Sequence, residues 1–269
     1  MNQSLSFNVL GPLSVEIDAR PRDIPGARQR ILLAALLVRF NQVVPVDELT
    51  DRIWGTTPPH RPRRALHTCL TRLRQAMAET DDQDDTALIR TTQGGYMIEV
   101  RPENLDLARF TELVDSAHTA RGRGDLTGEF RILEQALALW RGRALPDVQS
   151  DSLHRDVIPQ LHERWVSVLE RHGELALKLR RHHEIVGELR ALTFEHPFHE
   201  PFWQQFMLAL YRCGRRIEAL MAYADLMVRT REEFGVEPGP RLRELHLAIL
   251  RDDTTGFETP TDSAPKAAS

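Results

Sequence analysis

The chain has 269 residues, 41 % of them hydrophobic and 28 % charged, with a formal net charge of −4. That length accommodates about two domains and a core that needs neither disulfides nor a metal to be stable. The slightly acidic balance argues against a general electrostatic binder of nucleic acid, so any such role has to rest on where the positive charge is placed. The two cysteines, Cys69 and Cys213, belong to no CxxC pair, which excludes a disulfide framework and a recognisable zinc motif. The longest apolar run, "ILLAALLV" at 31–38, is too short to span a bilayer, and the first ten residues carry no basic charge. A cytoplasmic protein in a reducing compartment is expected, with no membrane partner and no cofactor.

The chain opens with "SFNVL", a Gly11-Pro12 turn and "LSVEI", in which Leu13, Val15 and Ile17 alternate with polar residues, the pattern of a half-buried hairpin. "ARQRILLAALLVRFNQ" at 27–42 follows as a helix without internal Gly or Pro, and Val46 to Trp54 as a shorter one stopped by Gly55. "TTPPHRP" is a loop. From Pro62 to Glu79 the apolar residues Leu66, Cys69, Leu70, Leu73 and Met77 recur at helical spacing and form one buried stripe. "ETDDQDD" reads as an acidic turn, and "LIRTTQGGYMIEV" as a second hairpin around Gly94-Gly95, with Tyr96, Ile98 and Val100 alternating.

From Leu105 to Leu250 the pattern is helical throughout. Leu107, Phe110, Leu113, Val114 and Ala117 mark one stripe; Ile132, Leu133, Ala136, Leu137 and Trp140 mark the next. The stretches at 181–192 and 215–226 resemble two copies of one helix-pair unit about 34 residues apart, the period of tetratricopeptide repeats. The second copy matches better, with Trp203, Tyr211, Gly214, Ala219, Tyr223 and Pro238 in suitable places. Residues 252–269 are polar and rich in Pro, Thr and Ser, the composition of a disordered tail.

The segment "RPRRALHTCLTRLRQAMAE" at 61–79 carries five arginines and no acid before its last residue. On a wheel centred on Leu66, Arg64, Thr68, Thr71 and Gln75 fall opposite the apolar stripe. Arg61 and Arg72 lie beside them, and His67 and Arg74 on the far flank. A solvated helix normally mixes signs, because i, i+4 ion pairs stabilise it by a few tenths of a kcal/mol. A face that forgoes them suits phosphates, which acids repel and arginines neutralise with release of counterions. Arginine and threonine also suit base edges, Arg on guanine N7 and O6 and Thr on a thymine methyl. The order strands, helix, short helix, loop, arginine helix, hairpin predicts a winged helix-turn-helix. Its third helix is expected to enter the major groove, and its hairpin to bring Arg90, Thr91, Thr92 and Gln93 to the neighbouring backbone or minor groove.

Other groupings carry less. "HTC" at 67–69 reads as a core cysteine beside a groove-facing histidine. "RHHE" at 181–184 lacks the HExxH spacing of a metal helix, so no metal site is expected. Phe198, Phe202, Trp203 and Phe206 read as packing between helices, and Trp54 and Trp140 as packing anchors. The phosphate loops and nucleophile elbow of common enzyme classes are missing, which points away from catalysis.

"GARQRILLAALLVRFNQVVPVDELTDRIWG", "PPHRPRRALHTCLTRLRQAM" and "GGYMIEV" resemble the DNA-binding domain of the actinobacterial antibiotic regulatory proteins (SARPs), relatives of the OmpR-type winged helices. "LWRGRALPDV", "HPFHEPFWQQFMLALYRCGRRIEALMAY" and "REEFGVEPGPRLRELHLAIL" resemble the bacterial transcriptional activation domain that follows it in that family. The resemblance covers residues 5 to 250. It implies a mainly α chain with small β elements: a winged helix at 1–102, a tetratricopeptide-like helical domain at 103–251, and a tail. It further implies an activator of antibiotic biosynthetic genes. Such an activator binds tandem direct repeats in promoter DNA as tandem copies and recruits RNA polymerase, including its sigma factor. Carried over, Arg64, Thr68, Thr71 and Arg72 face the groove, and Arg61, Arg63, His67 and Arg74 lie on or near phosphates. Thr56, Thr57 and His60, in the loop before the arginine helix, are candidates to face polymerase.

Gln93 stands where many OmpR-type wings carry arginine, so minor-groove insertion is not implied. No receiver sequence precedes the winged helix, so control by aspartyl phosphorylation is not implied either; the ATPase that larger family members append is not expected here. Two alternatives stay open on the residues alone. In one the helical domain senses a small molecule or phosphopeptide; in the other a helical-repeat scaffold uses its basic helix to bind an acidic protein.

Overall fold

A computed structural model describes residues 5–18, 20–77 and 88–257. The acidic stretch 79–85 and the tail from residue 258 onward lie outside the described residues. The chain divides into two compact units at Val168/Leu169.

The first unit opens with the expected hairpin, β1 (Leu5–Asn8) and β2 (Ser14–Ile17), to which a short third strand, β3 (Arg20–Arg22), adds antiparallel. Pro21 masked that strand in the sequence; it sits at the sheet edge, where its missing N–H costs no ladder bond. Helix α1 (Ala27–Leu37) is buried along most of its length, and α2 (Val46–Trp54) and α3 (Pro62–Met77) pack against it. α1 ends five residues earlier than its composition predicts. Asn41 turns left-handed (φ 58°), and its side chain clamps Val100 through two hydrogen bonds of 2.9 Å, donating to the carbonyl and accepting from the amide. A tertiary contact therefore overrides helix propensity there.

The second hairpin, β5 (Ile89–Thr92) and β6 (Gly95–Ile98), turns at Gln93-Gly94 and gains a third strand, β4 (Val44–Pro45). Gly94 takes the left-handed φ of 101° that the turn needs. Gly95 is required for a different reason: a β-carbon there would run into the Val44 carbonyl.

Helices α4 (Asp106–Gly122), α5 (Leu126–Leu137) and α6 (Asp151–Asp156) complete this unit, which α7 (Ile158–Lys178) leaves through its middle. They are joined to the winged helix by polar contacts. Asp106, 5 % exposed, accepts hydrogen bonds from the amides of Val9, Leu10 and Leu107 at 2.7–2.9 Å, with Arg141 at 3.5 Å. Asp147 accepts from the Leu13 amide (2.9 Å) and pairs with Arg30. Arg52 bonds the Ser152 carbonyl and Asp156 at 2.7 and 2.8 Å, and the Ser150 hydroxyl donates to the Arg52 carbonyl. Trp140 is a packing anchor as expected, edge-on to Phe110 (5.5 Å) and tilted against Trp165 (5.6 Å). Trp54 instead lies beneath Arg28, 5.9 Å from its ring centre.

In the second unit α8 (His182–Glu195) pairs with α9 (Glu200–Arg212) and α10 (Arg216–Phe234) with α11 (Pro240–Arg251), α8 and α10 starting 34 positions apart. Phe202, Trp203 and Phe206 are buried between them, while Phe198 stays partly exposed on Phe234. The first residues of the expected tail are ordered: a 3-10 turn spans Thr255–Phe257, and Asp252 accepts from the Tyr211 hydroxyl at 2.8 Å.

His172, buried on α7, is pushed down to a pKa of about 4, chiefly by burial and secondarily by Arg181. The folded state keeps the ring neutral, whereas the unfolded chain takes up a proton near 6.5. Stability from this group is thus complete above pH 6.5 and is lost as the pH falls towards 4. The displacement corresponds to roughly 3 kcal/mol. Urea unfolding at pH 7 and pH 4.5 should show that acid sensitivity reduced in His172→Gln.

Candidate nucleic-acid interface

α3 buries the stripe its spacing predicts, Leu66, Cys69, Leu70, Leu73 and Met77, and burial pushes the Cys69 thiol pKa up. The helix has no acid in its first turn. Arg61, Arg63, Arg64, His67, Thr68, Thr71 and Arg72 are all exposed, and among the described residues none of these arginines forms an ion pair. This contrasts with α8 and α10, where Arg181–Glu184 and Arg215–Glu218 pair at i, i+3. The Thr68 and Thr71 hydroxyls donate to the Arg64 and His67 carbonyls one turn back, both at 3.0 Å. With the proton engaged, each threonine offers outward a methyl group and an acceptor lone pair.

Arg74 is placed differently from its neighbours. Half-buried, it donates to the Ile89 carbonyl at 2.7 Å and approaches the Thr91 hydroxyl at 3.4 Å, so its guanidinium joins α3 to strand β5. In the wing, Arg90 is exposed but paired with Glu99 across the hairpin at 2.8 Å. Thr91 and Gln93 are exposed, and the half-buried Thr92 donates to the Gly95 carbonyl at 3.2 Å. The structure therefore brings the α3 face and the wing tip into one module, with Arg74 inside it. The loop residues Thr56, Thr57 and His60 are also exposed, Thr57 bonding back to the Trp54 carbonyl.

A cleft of about 410 Å³, which sequence reasoning missed, lies between α3 and the wing. Pro45, Val46 and Asp47 of the α2 entry, Arg63 and Leu66 of α3, and Thr91, Thr92, Gly94, Gly95 and Tyr96 of the wing line it. Asp47 makes the α2 end of this cleft a poor seat for phosphate, although a helix N-terminus otherwise favours one. No periodicity signals such a cleft, because β4 is only two residues long and its pairing with β6 spans about fifty positions.

Residues 25–98 match the family of transcriptional regulatory protein C-terminal domains, and residues 105–250 match the bacterial transcriptional activator domain. The regulatory protein DnrI of Streptomyces peucetius is 36 % identical over 98 % of both chains. The regulatory protein AfsR of Streptomyces coelicolor is 37 % identical over 98 % of this chain, which spans 26 % of AfsR. A solved structure of Mycobacterium tuberculosis EmbR in complex with a low-affinity phosphopeptide superposes with a TM-score of 0.85 at 31 % identity, over 94 % of this chain and 66 % of EmbR. No helix among the described residues is long and apolar enough to cross a membrane. Full-length similarity to DnrI and the two family matches in this order lead to one conclusion: the chain belongs to the SARP-type transcriptional regulators, an OmpR-type winged helix followed by a bacterial transcriptional activator domain.

Proposed function

We propose that this regulator is a cytoplasmic activator of an antibiotic or other secondary-metabolite gene cluster, and that it binds tandem direct repeats in the promoter. The acid-free arginine face of α3, set beside the wing and, at Arg61, Arg63, Arg64 and Arg72, without an ion pair among the described residues, is the observation that carries the reading. α3 lies in the major groove with Arg64, Thr68, Thr71 and Arg72 towards base edges. Arg61, Arg63 and His67 lie on flanking phosphates. Arg90, Thr91, Thr92 and Gln93 follow the adjacent backbone, while Arg74 holds the wing in position. Tandem copies occupy one face of the duplex, so the repeats are spaced by about 10–11 bp or a multiple. The winged helix at 1–102 supplies the DNA contact. The helical region 103–251 and the loop bearing Thr56, Thr57 and His60 recruit RNA polymerase with its sigma factor.

Footprinting on the organism's own promoters with wild type and Arg64→Ala tests this. A base-reading arginine should cost about 1–3 kcal/mol and relax specificity at one position of each repeat. A protein that protects no promoter above its non-specific background would remove the proposal.

A further inference from the structure

The sequence gives no reason to expect a metal, yet the fold of the second unit gathers a ligand set that lies far apart in the chain. His182 and His183 are the first residues of α8, and Cys213 caps α9. One ligand atom from each lies within 4.8 Å of the others. We infer that His182, His183 and Cys213 bind one thiophilic d10 cation, zinc(II) or copper(I), across the turn before α8 and the turn before α10.

The two turns are built alike, which fixes the ligands on rigid backbone. At the first, Arg180 is left-handed (φ 58°) and the Arg181 amide reaches back to the Ala176 carbonyl at 2.8 Å. At the second, Gly214 is left-handed (φ 75°) and the Arg215 amide reaches the Leu210 carbonyl at 2.9 Å. Each is the five-residue return that closes a helix through a left-handed residue. Metal–nitrogen and metal–sulfur bonds of about 2.0–2.1 and 2.3 Å place neighbouring ligand atoms about 3.3–3.6 Å apart. The set therefore needs to close by about 1 Å, a movement that side-chain torsions supply without the backbone.

His182 Nδ1 is buried and has no hydrogen-bond partner, which leaves a polar atom that a metal would satisfy. The His182 and His183 rings stand edge to face, 5.1 Å apart. The donor atoms decide which ion fits. The set has no carboxylate, Glu184 being engaged by Arg181 at 2.6 Å, so magnesium or calcium would find no oxygen ligand. A thiolate and two imidazoles select zinc(II) or copper(I). Three protein ligands would leave a fourth position of a tetrahedral ion for water or a further ligand.

The reduced full chain, stripped with a chelator, would be titrated with cobalt(II) as the spectroscopic substitute for zinc, and separately with copper(I) against a chromogenic chelator. One equivalent of cobalt should give a thiolate-to-cobalt charge-transfer band that zinc bleaches. Whichever of zinc and copper(I) is retained more tightly names the ion. Cys213→Ser should abolish the band, Cys69→Ser should leave it, and His183→Ala should weaken binding at least about tenfold. Circular dichroism separates lost ligation from lost fold; if Cys213→Ser unfolds, the exposed His183→Ala carries the test. Retention of neither ion, a band that survives Cys213→Ser in a folded chain, or wild-type affinity in His183→Ala would overturn the inference. None of these outcomes depends on DNA binding.

Discussion

Thr68→Glu is expected to cut affinity for promoter DNA at least about a hundredfold while leaving the protein folded. The side chain sits in the middle of the exposed face of α3, and its hydroxyl is already bonded to the Arg64 carbonyl. Glutamate is a better helix former than threonine, so the substitution gives up one back-bond without harming the helix. What changes is the charge. A carboxylate there pairs with Arg64 or Arg72 and sets a negative charge against the duplex, where like charges cost several kcal/mol. Thr68→Val keeps the methyl group and the neutrality, and should bind within a few-fold of wild type. Fluorescence anisotropy at several salt concentrations checks both variants. Equal losses in Val and Glu would mean that this face reads nothing through charge, and equal affinities would place the duplex elsewhere.

The second large effect concerns stability. Asp106→Ala should destabilise the first unit by about 3–5 kcal/mol, read as a lowered urea midpoint at pH 7. The buried carboxylate is the acceptor for the Val9, Leu10 and Leu107 amides, and its removal strands two of those amides at the end of β1. Burial pushes the Asp106 carboxyl pKa up, against the opposing pull of the three amides and Arg141. Asp106→Asn should recover little, because one of the two acceptor oxygens becomes an NH2 that faces backbone N–H groups. A loss below about 1 kcal/mol in both variants would show that water replaces the carboxylate, and would remove its role as a tie between β1 and α4.

The α3 stripe was legible because five apolar residues at helical spacing leave only one way to bury them. The exposed, acid-free face of α3 was legible because missing acids are as visible in a sequence as present arginines. Pairing partners were not. A wheel places Arg74 at an angle on the helix but cannot say that the Ile89 carbonyl waits beside it, fifteen residues on. Likewise nothing in the sequence marks Asp106, Asp147 or Asp156, since their partners Val9, Leu13 and Arg52 lie 97, 134 and 104 positions away. β3 and β4 are too short and too proline-marked to show alternation. The histidine pair and Cys213 meet only because two helix ends close in the same way.

Arg74 has a consequence for the length of the target. One guanidinium fastens the hairpin to α3, so if both elements grip DNA as proposed they do so at one fixed spacing. A half-site lengthened or shortened by one base pair between the points they grip should not be accommodated by flexing, and should be refused as a whole.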